Sequence, residues 1–317
     1  MRVVIYLPPN FYSAVASSIV ETLQTVNDIS GSQTFTTEFV SQASNPTSRS
    51  GILFPAKRRP SGKIDLLILL SGINPETKQL PEILQLEKKF VAPLVKKAVQ
   101  QDAIIAGTCG ASLLLASLGL LDGKRSTIAW WAQQEAIRLF PKVRWEPSKM
   151  VIRQGRIYTS GAVYAGIDLL SALLVDLGLA KEEKIVRKLL AIPSLREFQT
   201  PYEMILAEIP LTPFEEKLSR IISDVGLENL TIERVGQRLS MTYRTLSRKF
   251  TSELFTSPGK WLQNRRLDAA KKLLEETALS VSEICYHVGY QDLASFSRLF
   301  LKTTGMTPGE FRRQAAA

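Results

Sequence analysis

The last hundred residues contain one segment twice, and this repeat restricts the fold more than any other feature of the chain. "LSRKFTSELFTSPGKW" (246–261) superposes on "FSRLFLKTTGMTPGEF" (296–311) with a constant shift of 50. Ser247 then pairs with Ser297, Arg248 with Arg298, Phe250 with Phe300, Pro258 with Pro308, Gly259 with Gly309 and Trp261 with Phe311. Upstream of each copy lies a short stretch of helical period and a turn: "TIERVGQRLS" before Thr242 and "SVSEICYHVGY" before Asp292. Each copy reads as a helix-turn-helix. Thr231 and Ser280 are the expected N-caps of the two first helices, and Thr242 and Asp292 those of the two second helices. The helices cross closely, so each first helix needs a small residue there, and Gly236 and Cys285 stand in those places. The turn needs a positive φ, which Gly289 adopts freely and Ser240 only at some cost. A long helix expected over 258–276 joins the copies. Two units so joined can enter successive major grooves on one face of a duplex, about 34 Å apart.

These residues carry a resemblance. Residues 215–315 resemble the AraC/XylS family of transcription regulators, and "SVSEICYHVGYQDLASFSRLFLKTTGMTPGEFRR" follows the family signature along its length. The resemblance implies a sequence-specific regulator of promoter DNA, usually an activator and often a homodimer, with RNA polymerase as a further partner. Carried over by position, the base-facing residues are Arg244, Ser247 and Arg248 in the first recognition helix, with Tyr243 beside them. In the second they are Leu293, Ala294, Ser297 and Arg298. An arginine bound bidentately to guanine discriminates by about 1–3 kcal/mol, whereas Leu293 and Ala294 reach only a thymine methyl. The first helix is therefore expected to carry more of the specificity. Phosphate contacts or surface ion pairs are the alternative roles for Arg248 and Arg298. Lys249 and Lys302 are expected to be solvated or phosphate-facing, and Leu246, Phe250, Phe296 and Phe300 to be core.

The chain before the repeat alternates strand and helix. Strands are expected over 2–7, 63–73 and 103–106, with a further short one ahead of a Ser160-Gly161 turn. Helices are expected over 12–26, 86–101 and 111–119, and after that turn up to 179. This order implies a doubly wound α/β domain with a mostly parallel sheet, of flavodoxin-like or amidotransferase-like type. From Ala180 strand candidates cease, and Pro193, Pro201, Pro210 and Pro213 punctuate a segment that suits a linker with a helical piece. The expected organisation is an α/β domain over 1–185, a linker over 186–213 and an all-α double helix-turn-helix domain over 214–317. Residues 41–63 read as loops around a short strand, with Lys57, Arg58 and Arg59 expected to be solvated and contact with DNA their alternative role.

Bulk properties agree with such a chain without singling out its function. The net charge of +10 suits an anionic partner such as nucleic acid. It divides as +6 over residues 1–210 and +4 over 211–317, so charge alone does not locate a binding domain. No apolar run reaches membrane-spanning length and the N-terminus lacks a signal-peptide pattern. The two cysteines, Cys109 and Cys285, offer neither a disulfide framework nor metal-ligand spacing, which fits a reducing cytoplasm.

"IIAGTCGASLLLASLGLLDG" places Cys109 between an apolar strand and a Leu-rich helix, the arrangement of a nucleophile elbow. A polar surrounding would lower the pKa of such a thiol, and a nearby base would make it reactive. With "ASLGLLDGKRST" and "TSGAVYAGIDLL", this elbow makes residues 1–185 resemble the PfpI-like branch of the class I glutamine amidotransferase superfold. Active members pair the elbow cysteine with a histidine about 20 residues downstream. Here that segment reads Thr127-Ile128-Ala129-Trp130, with Ala129 in the histidine's place. The single histidine, His287, lies inside the second helix-turn-helix, where it is expected to be exposed and within reach of a phosphate. Glu135 is near in sequence, but a carboxylate raises a thiol's pKa. Only Glu21 offers itself as the acidic residue that orients the thiol in active members. The elbow is therefore expected to be inactive, with no catalytic residue, no metal and no cofactor.

The cleft over the strand ends can still bind a small-molecule effector. Cys109, Gly110, Trp130 and Gly72 are its expected contacts, with Ser71, Trp131, Ser160 and Gly161 also lining it. A nest at Gly110-Ala111 suits a carboxylate, and Trp130 with Trp131 suits a small ammonium compound unless they pack into the core. Two other functions fit less well. One is a cysteine amidase or hydrolase with a DNA-binding tail. The other is a constitutive DNA-binding protein whose α/β domain only dimerises.

Overall fold

The computed structural model describes residues 1–317 apart from 75, 76, 78, 193–195, 200–212, 255 and 316–317. It divides into two compact units, Met1–Gln199 and Thr200–Ala317. No helix among the described residues is long and apolar enough to cross a membrane.

The first unit contains strands β1 (Arg2–Tyr6), β2 (Thr36–Val40), β3 (Leu66–Leu69), β4 (Ile104–Thr108), β5 (Arg125–Ser126), β6 (Arg144–Trp145), β7 (Val151–Gln154) and β8 (Ile157–Ser160). Its helices are α1 (Ser13–Ser30), α2 (Leu80–Gln100), α3 (Ala111–Ser117), α4 (Gln133–Leu139), α5 (Ala165–Asp176) and α6 (Ala180–Leu189). The main sheet has the order β2-β1-β3-β4-β8-β7, parallel except for β7, which runs antiparallel to β8. Continuous apolar runs make the central strands: all of Leu66–Leu69 and Ile104–Thr108 is buried, as strands covered on both faces require. One face packs on α2 and α3 through Leu84, Val91, Leu94 and Leu114. The other packs on α1 and α5 through Val15, Ile19, Leu169 and Leu173. The unit is thus the expected doubly wound α/β fold.

Four strands escaped the sequence reading. β2 and β7 are short edge strands with polar residues on their open face, and β5 and β6 have only two residues each, so none shows a sustained apolar pattern. The short strand expected within 41–63 does not form; isolated bridges join Val40 to Lys57 and Thr47 to Leu53 instead. The linker expected from residue 186 begins too early. Val186 is buried in the α/β core, Arg196 Nη2 pairs with Asp168 Oδ2 at 2.6 Å, and Gln199 is fully buried. Prolines suggested a linker, and residues 193–195 and 200–212 lie outside the described residues. Arg196 and Gln199, however, are held to the domain by polar, long-range contacts that leave no periodicity in the sequence.

The second unit holds α7 (Pro213–Val225), α8 (Ile232–Arg238), α9 (Tyr243–Leu254), α10 (Pro258–Glu276), α11 (Val281–His287), α12 (Leu293–Thr304) and α13 (Pro308–Ala315). It has two small cores. Phe214, Leu218, Leu246 and Phe250 centre the first, and Ile284, Phe296, Phe300 and Phe311 the second. α10, about 28 Å long at 1.5 Å per residue, contributes Trp261 and Leu262 to the first core and Leu267 and Leu274 to the second. Repeat partners make matching contacts: Phe250 meets Trp261 edge-on at 5.3 Å, and Phe300 meets Phe311 edge-on at 5.5 Å.

Candidate DNA-binding surface and ligand cleft

All four expected caps form. Thr231 Oγ1 accepts from the Arg234 amide, and Thr242 Oγ1 from the Thr245 amide. Ser280 accepts from the Glu283 amide in a reciprocal capping box, and Asp292 from the Ala294 and Ser295 amides. These hydrogen bonds hold the Asp292 and Glu283 carboxyls below the usual range. Gly236 and Cys285 are buried, and a Cβ added at Gly236 would lie 3.0 Å from the Met241 carbonyl oxygen. Ser240 has φ +52° and Gly289 φ +92°, so both turns use the left-handed region. The first helices are related by a shift of 49 and the second helices by 50, so the second turn is one residue longer.

α9 and α12 show the same exposure along their repeat. Leu246 and Phe250 are buried as Phe296 and Phe300 are, while Arg244, Arg248, Ala294 and Arg298 are exposed. Tyr243 and Leu293 open the two helices at 67% and 37% exposure, and Ser247 and Ser297 are half-buried at matching positions. Tyr243, Arg244, Ser247 and Arg248 line one shallow depression with Thr251 and Ser252. Arg244 and Arg248 make no hydrogen bond or ion pair with any described residue. Arg298 reaches only Ser295 Oγ, at 3.2 Å. Lys249, by contrast, pairs with Glu253 and sits 4.9 Å above the Phe214 ring, so its charge is spent inside the domain. Lys302 and His287 are exposed.

Sequence reasoning missed Arg266. Its Nη2 donates to the Leu230 carbonyl oxygen in the first core at 3.0 Å, and its guanidinium lies 5.5 Å from the Tyr290 ring centre in the second. A Cβ at Gly289 would lie 2.7 Å from Arg266 Nη2, so this glycine serves both the turn and the bridge. An arginine within a helix carries no sequence signal of such a role.

In the first unit the elbow forms as read. Cys109 has φ +53°, its amide donates to the Ser160 carbonyl oxygen at 3.0 Å, and α3 starts two residues later. Yet Cys109 is buried, and burial pushes its thiol up to about 12, opposed only by a backbone hydrogen bond from Gly110. The cavity beside it, lined by Tyr12, Leu70, Ser71 and Val163, holds about 10 Å³, the lower limit for a single water. Ala129 is fully buried, Glu21 is exposed, and Glu135 pairs with Arg138 at 2.6 Å.

The expected ligand contacts do not assemble into one site. Gly110 is backed by Ser71 and Ile73, which a Cβ would meet at 2.6 and 2.9 Å. Trp131 packs against the α2 side of the core and Trp130 is half-buried on a short 3-10 turn. At Gly161 the Gln199 side chain fills the space, donating to the Ile128 carbonyl oxygen at 2.7 Å and accepting from the Ala162 amide at 3.1 Å. Gly72 alone of the four lines a sizeable opening, a groove of about 680 Å³ between the sheet's strand-end loops and α2. A Cβ at Gly72 would meet the Pro9 carbonyl oxygen at 1.8 Å, so glycine is required for these loops to touch.

An α/β body with an elbow thiol, joined to two helix-turn-helix units that display exposed arginines, defines a class of DNA-binding regulators. Comparison with known proteins places it. Residues 14–176 match the DJ-1/PfpI family and residues 235–314 match a helix-turn-helix domain family. The chain belongs to the DJ-1/PfpI family and carries an AraC-type DNA-binding domain; it is a transcription regulator of that composite kind. It is 25% identical to the HTH-type transcriptional regulator CdhR of Pseudomonas aeruginosa, over 80% of this chain and 73% of that protein. It is 26% identical to GlxA of Rhizobium meliloti, over 67% and 66% of the two chains. Among solved structures, an AraC family transcriptional regulator from Pseudomonas putida superposes on 60% of this chain and 98% of its own (TM-score 0.51, 18% identity). That likeness shows the fold of the first unit's kind only.

Proposed function

We propose that the chain is an effector-controlled transcription activator of the cytoplasm, acting as a homodimer on promoter DNA together with RNA polymerase. Its α/β domain, sensor or dimerisation body, is catalytically idle. Its DNA-reading residues are Arg244, Ser247 and Arg248 with Tyr243 in α9, and Leu293, Ala294, Ser297 and Arg298 in α12. The observation that carries this reading is the pair of exposed arginines, Arg244 and Arg248, without partners inside the described chain. Solvated guanidinium groups on the leading face of a recognition helix are free to meet guanine edges or phosphates. The buried Cys109 thiol, beside a cavity too small for a substrate, supports the non-enzymatic role over an amidase. The test is selection of bound sequences from random duplexes by the full chain, repeated with Arg248→Ala. Loss of preference at one base position, with non-specific affinity nearly kept, is the expected result. Equal weakening on every sequence would make Arg248 a phosphate contact.

A further inference from the structure

We propose that the groove between the β1 and β3 loops and α2 is the effector site, and that it takes a protonated amine with a compact apolar body, bound to the Glu87 carboxylate. The inference rests on the effector-controlled reading above and names the ligand class and the site.

Position is the first argument. In the order β2-β1-β3-β4-β8, the chain winds in opposite directions from β1 and from β3, so these strands flank the topological switch point. Open α/β sheets bind ligands in the crevice outside the strand ends at that point. Asn10 follows β1 and Ile73 follows β3, and both line the groove, with Ile83, Glu87 and Phe90 of α2 opposite. Its volume of about 680 Å³ admits a small molecule, whereas the elbow cavity does not.

Glu87 is the second. The buried residues of α2 are Leu80, Leu84, Glu87, Val91, Leu94, Val95 and Ala98, so a carboxyl occupies a place in the apolar stripe. Glu87 is 7% exposed and makes no hydrogen bond or ion pair with any described residue. Lys89, which also lines the groove, is exposed and does not pair with it. The Tyr6 ring stacks on Phe90 at 5.7 Å, and its buried hydroxyl, close enough to feel the Glu87 charge, has only a loose approach from Gln42. An unpaired carboxyl in such a place is a local conflict that folding alone does not reward. A cation entering the groove resolves it. The Asn10 and Gln42 carboxamides also line the groove, and each can accept a hydrogen bond from an ammonium N–H, which a quaternary ammonium group cannot donate, while Ile83 with Phe90 suits a short branched hydrocarbon.

The experiment is calorimetric titration of the full chain at pH 7.5 with isopentylamine, isopentanol and isovalerate, which share one branched five-carbon skeleton. Amine binding at least tenfold tighter than either analogue is expected. Glu87→Gln should weaken the amine at least tenfold, Glu87→Asp less, and the exposed Glu82→Gln on the same helix not at all. Equal binding of alcohol or carboxylate, or an unchanged Glu87→Gln, overturns the proposal. The same compounds are then added to a complex of the chain with in vitro selected DNA. Glu87-dependent amine binding that leaves DNA affinity unchanged upholds the site and overturns its regulatory role. A non-amine that changes DNA affinity independently of Glu87 upholds effector control and overturns this site.

Discussion

The same buried carboxyl makes a sharp prediction about stability. Burial raises Glu87 from an ordinary 4.5 to about 7, so the folded α/β unit holds a proton that the unfolded chain releases. Where the native state binds more protons, stability falls as pH rises. The loss begins near pH 4.5 and is complete just above pH 7. At 1.36 kcal/mol per pKa unit the shift is worth about 3 kcal/mol, and Glu87 is buried enough for solvent to screen little of it. For a domain of this size about 3 kcal/mol moves Tm by roughly 6–12 °C. Glu87→Gln keeps the shape and removes the charge. The variant should exceed the parent by less than about 1 kcal/mol at pH 5 and by about 3 kcal/mol at pH 8. The assay is thermal melting of the full chain between pH 5 and 8, followed by tryptophan fluorescence. Trp130, Trp131 and Trp145 report the first unit, and Trp261 the second. Parallel pH profiles for the two proteins, or a variant less stable at pH 8, would refute the reasoning.

Other consequences are open to simpler tests. Arg248→Ala should weaken binding to selected DNA by about 1–3 kcal/mol, roughly 5- to 150-fold, and relax one base position. Lys302→Ala should weaken all sequences alike and lower the salt slope by about 1, as gel-shift titrations in graded salt would show. A thiol raised from 9.0 to about 12 holds about a thousandfold less thiolate. Even with the greater nucleophilicity of a more basic thiolate, it should react with iodoacetamide at least about thirtyfold more slowly than free cysteine. Cys109 labelling within tenfold of the free rate would restore the amidase reading. Ser240→Gly, at φ +52°, should stabilise the second unit by up to about 1 kcal/mol in denaturant melts. Arg266→Ala should destabilise that unit by about 1–3 kcal/mol, since it strands the Leu230 carbonyl oxygen; an unchanged midpoint would deny the bridge.

The readable parts of this chain are those whose cause is local. Caps at Thr231, Ser280 and Asp292 depend on a side chain and an amide two or three residues on, and all three form. Core positions such as Phe250 and Phe300 follow from helical period, because a stripe of apolar residues must be buried. The elbow at Cys109 was legible because its strand, turn and helix are contiguous. Its environment was not. Whether the thiol faces a pocket or a packed wall depends on Tyr12, Leu70 and Val163, from three other parts of the chain.

Sequence by itself therefore determined two units, a doubly wound sheet and a repeated helix-turn-helix, along with which helix faces are buried and which residues sit at the front of each recognition helix. Tertiary structure alone decided where space remains. It closed the cleft at Cys109 and seated Gln199 over Gly161. It also turned Arg266 into a tie between two cores, and left Glu87 without a partner among the described residues in the wall of the groove where Gly72 brings two strand-end loops together. Periodicity records which side of an element is buried; it does not record what, if anything, lies against it.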